Sequence, residues 1–278
     1  MQDILIRDKN NKEEKNPPKK FNIVLLSGGM DSTTCLAEAS TWDGQLCALH
    51  VNYGQLTEDR ELRAYHEICD HYEIPNEYRC IVALPVLTIT NSALVGNADL
   101  DMTGEAVDDQ TIVPLSYVPF RNAHILAAAV SWGESLHTFT GQRPDCYIEL
   151  NIVHGAVEED AAGYPDCREE FYNLFTKTAN VGTREETIIN FHTPVIRMTK
   201  PEIIMWAWRL NAPLQLTWSC YSSGDSEETA CGLCDSCLLR TGAFKIVNII
   251  DPVPYATVIE WNAAIIYAPI PEPEEGEE

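Results

Sequence analysis

The chain has 278 residues, 45% of them hydrophobic and 22% charged, enough to bury a full core and unlike a disordered or fibrous protein. Nineteen Lys and Arg against 42 Asp and Glu leave a formal net charge of −23, which repels phosphate backbones and acidic lipid headgroups and argues against broad nucleic-acid or membrane binding. No apolar run approaches the roughly 20 residues of a bilayer span, and the opening residues carry no secretory pattern, so a cytoplasmic protein is expected.

Residues 8–20 are charged and polar and end in Pro-Pro-Lys-Lys, which suits a flexible arm over 1–20. The apolar run 21–26 then stops at Ser27-Gly28-Gly29, as a buried strand does when it meets a tight turn. A helix over 33–40 and a second strand over 46–51 follow. The stretch 58–72 sets Leu62, Tyr65, Cys69 and Tyr72 along one helical face. Asn122 is placed to cap a helix carrying Ile125, Leu126, Ala129 and Val130. Residues 152–154 read as another strand. Thr199 and Glu202 have capping-box spacing around Pro201, ahead of a helix over 203–210. Strand and helix alternating in this way predict an α/β fold, a Rossmann-like doubly wound parallel sheet covered by helices. Ligands of such sheets sit beyond the carboxyl ends of the strands. The expected organisation is an α/β domain over 21–215, a cysteine-rich segment over 216–258, and an extension over 259–278 ending in an acidic Pro/Glu tail.

The first strand end carries Ser27-Gly28-Gly29-Met30-Asp31-Ser32. Glycines let the backbone approach a phosphate, the unpaired N–H groups of the following helix face the anion, and Ser27 and Ser32 add hydroxyl donors. Asp31 repels a phosphate unless a cation intervenes, and Mg²⁺ carried by a nucleotide supplies one. No lysine follows the glycines, so this is not a Walker A loop. The plainer alternative is a Gly-rich turn with a Ser/Asp helix cap.

Four of the ten cysteines crowd into C-x10-C-x2-C-x2-C: Cys220, Cys231, Cys234 and Cys237. Four thiolates at such spacing can close a tetrahedron around a structural Zn²⁺ with no open position for catalysis. An iron–sulfur cluster and a disulfide framework are the alternatives; nothing nearby suggests redox chemistry, and the expected compartment is reducing.

SGGxDS after a first strand resembles the signature of the PP-loop ATP pyrophosphatases, which cleave ATP between its α and β phosphates. Several further segments stand in order with it: Val51-Asn52-Tyr53-Gly54-Gln55, Val118-Pro119-Phe120-Arg121-Asn122, Asp160 through Arg168 with Gly163-Tyr164-Pro165-Asp166-Cys167, Thr199-Lys200 and Thr217-Trp218-Ser219-Cys220-Tyr221. Together they resemble the QueC (7-cyano-7-deazaguanine synthase) family over about 22–255. The resemblance implies a ligase using ATP, Mg²⁺ and structural Zn²⁺. It would adenylate the carboxylate of 7-carboxy-7-deazaguanine, let ammonia form the amide, and dehydrate that amide to the nitrile. It also implies a homodimer. By the same resemblance, residues 27–32 hold ATP, and Arg121, Lys200 and Asp31 bring the two anions together. Tyr53, Gln55, Asn122, Tyr164 and Arg168 contact the base. Asp160 and Asp166 either read its guanine-like N–H edge, hold metal, or take a proton from ammonium. Arg168 and Lys200 also have ordinary readings, as a partner of Glu169 or Glu170 and as a surface lysine.

Two segments depart from the family pattern. The connection 132–151 is longer than expected, and 55–60 is more acidic than the basic stretch usual after YGQ. Both leave the adenylation parts intact and bear on the nucleophile. The runner-up is therefore a QueC-like ligase of antiphage (CBASS-type) operons that joins the activated carboxylate to a protein N-terminal amine. A tRNA-modifying PP-loop enzyme is disfavoured by the acidic surface.

Overall fold

A computed structural model describes residues 18–96, 117–139 (side chains to 136), 147–158, 164–221, 228–262 and 265–268. The predicted arm up to residue 17, the stretch 140–146 of the long connection, Asp160 and the acidic tail lie outside the described residues.

Five parallel strands form the main sheet: β1 (Lys19–Leu25), β2 (Gln45–Asn52), β3 (Arg79–Ala83), β4 (Ile148–Val153) and β5 (Thr187–His192), in the order β3-β2-β1-β4-β5. Helices on both faces bury nearly the whole of the two central strands, β1 from Phe21 on and all of β4 but Glu149. One face of the sheet, with Val24, Ala48 and Val153, packs against α1 (Met30–Ala39), α2 (Glu58–His71) and α5 (Lys200–Arg209). Phe21, Ile23, Leu49 and Ile152 turn the other way, toward α3 (Arg121–Phe139) and α4 (Glu169–Gly182). Strand order reverses between β1 and β4, and the crevice beyond their carboxyl ends is where ligands of open α/β sheets bind.

The helix over 58–72 forms as its periodicity implies, with Tyr65 and Cys69 buried and Leu62 and Tyr72 packed at the core edge. The capping box is present: Thr199 N donates to Glu202 Oε2 at 2.8 Å at the start of α5. Three expectations change. Strand β1 begins at Lys19, inside the span expected to be an arm. Helix α1 starts at Met30, three residues earlier than the apolar spacing suggests, because Gly29 takes the N-cap position. Asn122 lies inside α3 instead of capping it, and its side-chain amide donates to Asp166 O and Cys167 Sγ. The long connection resolves partly into regular structure, since α3 continues to Phe139 and β4 begins at Ile148.

The C-terminal part adds α6 (Asp235–Ile246), packed on α5, and a short parallel pair, β6 (Ile249–Ile250) with β7 (Ile265–Ile266). Tyr267 Oη donates to Ala212 O at 2.8 Å, tying this end back to the loop after α5. Among the described residues, no helix is long and apolar enough to cross a membrane.

Candidate active site and four-cysteine cluster

The turn after β1 needs glycine at position 28. Its φ is +86°, and a Cβ there would come within 2.8 Å of Ala64 Cβ and 2.9 Å of Glu61 O on α2. Gly155, past β4, is equally constrained, since a Cβ would stand 2.9 Å from Ser32 N. The two carboxyl ends of the strand-order reversal are thus brought against the first turn of α1. The N–H groups of that first turn have no intrahelical acceptor. Ser27 Oγ and Ser32 Oγ lie 3.1 Å apart beside them, and Ser27 Oγ also accepts from Gly29 N at 3.2 Å. A ring of hydroxyl and backbone donors around a positive helix end suits an anion.

Lys200, the first residue of α5, reaches across the turn to Asp31 Oδ2 at 2.5 Å. The other carboxylate oxygen, Asp31 Oδ1, is buried with no hydrogen-bond partner among the described residues. An anionic oxygen left in that state is costly and fits a cation arriving with a nucleotide. Mg²⁺ would be held there by Asp31, and it would neutralise phosphate charge.

The turn opens into a cavity of about 480 Å³. Its other wall is built by Tyr53 past β2 and Arg121 at the start of α3. The guanidinium lies 5.8 Å from the Tyr53 ring centroid, and Arg121 NH1 donates to Tyr53 Oη at 3.4 Å. Burial raises the Tyr53 phenol, so it stays protonated. Tyr164 and Asn122 also line the cavity. His154 Nδ1 meets Tyr172 Oη at 2.7 Å; burial, aided by the Arg121 charge, pushes its imidazole down to about 3, so it is neutral.

Of the residues singled out from the sequence, Ser27, Gly29, Met30, Asp31, Ser32, Tyr53, Arg121, Asn122, Tyr164 and Lys200 meet at this one cavity, and Gly28 shapes its turn. Three others stand behind or away from it. Gln55 braces the wall, accepting from Tyr53 N at 2.8 Å and donating to Glu61 Oε2 at 3.0 Å. Asp166 is buried, and its Oδ2 accepts from Asn122 N at 2.9 Å, so its charge is directed at the first turn of α3. Arg168 is exposed ahead of α4, where the neighbouring Glu169 pairs with Arg197. Glu61, His154 and Arg240 line the cavity without having been singled out. Glu61 sits six residues beyond Gln55, and only the motif's continuation into α2 hinted at it.

The four cysteine sulfurs lie within 4.8 Å of one another. Cys231 Sγ to Cys237 Sγ is 3.8 Å and Cys234 Sγ to Cys220 Sγ is 3.9 Å. Zn–S bonds of about 2.3 Å in a tetrahedron put sulfurs about 3.8 Å apart, so the set is compatible with one zinc ion. It is too tight for thiolates flanking a four-iron core and too open for disulfides, whose sulfurs bond at about 2 Å. Backbone N–H groups support the cage: Cys231 N donates to Cys220 Sγ and Cys234 N to Cys231 Sγ.

The cluster is tied to the cavity through Arg240 on α6. All five of its N–H donors are used: Asp251 accepts two, Thr217, Ser219 and Leu214 O one each. Tyr255 Oη also donates to Asp251, at 2.6 Å. This buried network fixes α6, the segment before Cys220 and the segment after α6 against one another.

The sheet order, the glycine turn feeding α1 and the facing lysine define a PP-loop-type α/β nucleotide-binding protein with a four-cysteine cluster compatible with a metal. A family model described as "Queuosine biosynthesis protein QueC" matches residues 21–248. The chain is 44% identical over 239 residues to a "7-cyano-7-deazaguanine synthase" of Chlorobaculum parvum, covering 84% of this chain and 95% of that one. A protein of the same name from Chlorobium phaeobacteroides is 44% identical over 84% of this chain and 96% of its own, and one from Chlorobaculum tepidum is 44% identical over 84% and 95%. The chain belongs to the QueC family.

Proposed function

We propose that the protein is an ATP-dependent carbon–nitrogen ligase that converts 7-carboxy-7-deazaguanine and ammonia to 7-cyano-7-deazaguanine, the reaction its relatives' name describes. One observation carries the reading. A single cavity has the glycine turn with Lys200 and Asp31 at one end and Arg121 over Tyr53 on its wall, so an outer phosphate group and a carboxylate can both be held inside it.

In this reading the substrate carboxylate oxygen attacks the α-phosphorus of ATP, and the bond to the bridging oxygen breaks as pyrophosphate leaves. Residues 27–32 hold the departing phosphates, and Lys200 and Arg121 offset the repulsion between the two anions. Ammonia adds to the acyl carbon, loses a proton and expels AMP, giving the amide. A second ATP activates the amide oxygen in the same way; loss of AMP and both N–H protons leaves the nitrile. Asp31 would hold Mg²⁺, which would neutralise phosphate charge, and the four cysteines would hold a structural zinc ion. Asn122, Tyr164 and Asp160 serve the base, with Gln55 and Asp166 positioning the wall. The nine described cysteines are free of disulfides, which suits a reducing, cytoplasmic setting.

The test is mass spectrometry of the products from purified protein, ATP, Mg²⁺, ammonium and 7-carboxy-7-deazaguanine. The nitrile with pyrophosphate is expected. No pyrophosphate release overturns the reading, and an amide-linked mass increase on a protein amine, with no nitrile, replaces ammonia as the acceptor.

A further inference from the structure

The cavity wall holds a carboxylate that the adenylation chemistry does not use. Glu61, in the first turns of α2, lines the cavity beside Tyr53 and Arg121. Both of its oxygens are hydrogen-bonded within the wall: Thr57 Oγ1 donates to Oε1 at 2.6 Å and Gln55 Nε2 to Oε2 at 3.0 Å. Gln55 is itself locked by Tyr53 N and Val51 O. Among the described residues, no Lys or Arg forms an ion pair with Glu61. Burial raises this carboxyl, opposed by the hydrogen bonds from Thr57 and Gln55.

A carboxylate accepts about four hydrogen bonds, so two acceptor sites of a rotationally fixed group stay available. Acceptors fixed in a partly apolar wall call for donors, and two adjacent acceptor oxygens call for two adjacent donors. A guanine-type ring supplies them as the lactam N–H and the neighbouring 2-amino group. Adenine offers its amino group beside ring acceptors, which a carboxylate repels. Asp166, the other buried acid near this wall, already accepts from the start of α3.

The geometry points to Glu61 as a specificity-determining residue that reads the N–H edge of the 7-deazaguanine base, with Gln55 and Thr57 fixing its orientation. This rests on the proposed function, because it concerns how that substrate is chosen. Helix α2 then serves both parts of the site: Ala64 and the Glu61 carbonyl close on Gly28 of the phosphate turn, and the Glu61 side chain selects the base.

The experiment compares 7-carboxy-7-deazaguanine with its analogue lacking the 2-amino group, in the wild type and in Glu61→Gln, by pyrophosphate release. A site built to bond a polar group discriminates against a ligand without it. The wild type should favour the amino compound at least about tenfold in kcat/KM, and Glu61→Gln should lose most of that preference while KM for ATP stays within about twofold. Turnover of both bases at equal efficiency by the wild type overturns the assignment, independently of how the variant folds. So does an unchanged preference in Glu61→Gln, or a rise in KM for ATP in place of the base. Absence of any pyrophosphate release from the wild type instead removes the proposed function.

Discussion

Asp31 has one oxygen in an ion pair with Lys200 and the other buried without a hydrogen-bond partner among the described residues. In the proposed function that second oxygen meets the cation of a nucleotide, so Asp31→Ala should reduce pyrophosphate release by about a hundredfold or more. The fold should survive, because the pair is partly exposed and bridges two helices that also share an apolar contact. Release at the wild-type rate would remove Asp31 from the chemistry. His154 leads to a pH prediction. Its folded imidazole titrates at about 3, against 6.5 for the ordinary group. Between those values the unfolded chain binds the extra proton, so stability rises with pH and falls on acidification below 6.5. Melting temperature should therefore drop more steeply below pH 6.5 for the wild type than for His154→Asn, and parallel curves would show that another group is responsible.

The elements that position these residues differ in how much of them can be read locally. The glycine turn is legible because each feature is a short-range requirement: a strand end, a left-handed residue, a helix start. Gly28→Ala tests that requirement. Positive φ and two contacts under 3 Å should together cost about 1 kcal/mol or more and abolish nucleotide binding. Denaturant unfolding and nucleotide titration measure the two effects, and a variant that still binds nucleotide with wild-type affinity would mean the turn does not hold phosphates. The capping box at α5 and the cysteine spacing were readable for the same short-range reason. Orientation across the fold was not. Asn122 has the residue type of a helix cap, yet its amide is taken by Asp166 and Cys167, more than forty positions away. The Asp166 carboxylate in turn accepts from the Asn122 backbone at the start of α3. Arg168 shares a motif with both but projects outward, because a helix starting at Glu169 leaves its first boundary residue at the surface. Glu61 escaped notice since an acid in a first helical turn is common, and only the fold shows that it faces a cavity.

At the scale of the whole molecule, the cysteine segment is part of the cavity and not a separate appendage. Ser236 and Leu239 of α6 and Ser219 and Tyr221 beside Cys220 line the same space as the glycine turn. Trp218 N donates to Gly28 O at 2.9 Å, and the Arg60 guanidinium lies over the Trp218 ring at 4.3 Å, so the chain entering the cluster touches both the turn and α2. Arg240 and Asp251 carry the connection onward through a buried pair whose hydrogen-bond donors are all satisfied, the condition under which such a pair is tolerated. A metal that closes the four thiolates should then hold the nucleotide site as well as the segment, because the loop leading into Cys220 is the one that presses on Gly28. Cys234→Ser should lower bound zinc, thermal stability and ATP turnover together, measured by elemental analysis, melting and pyrophosphate release on one preparation. Stoichiometric zinc in the variant would make the ligand assignment wrong. Lost zinc with unchanged turnover would separate the cluster from the cavity, and the contact between Trp218 and Gly28 would then be packing without consequence for the nucleotide.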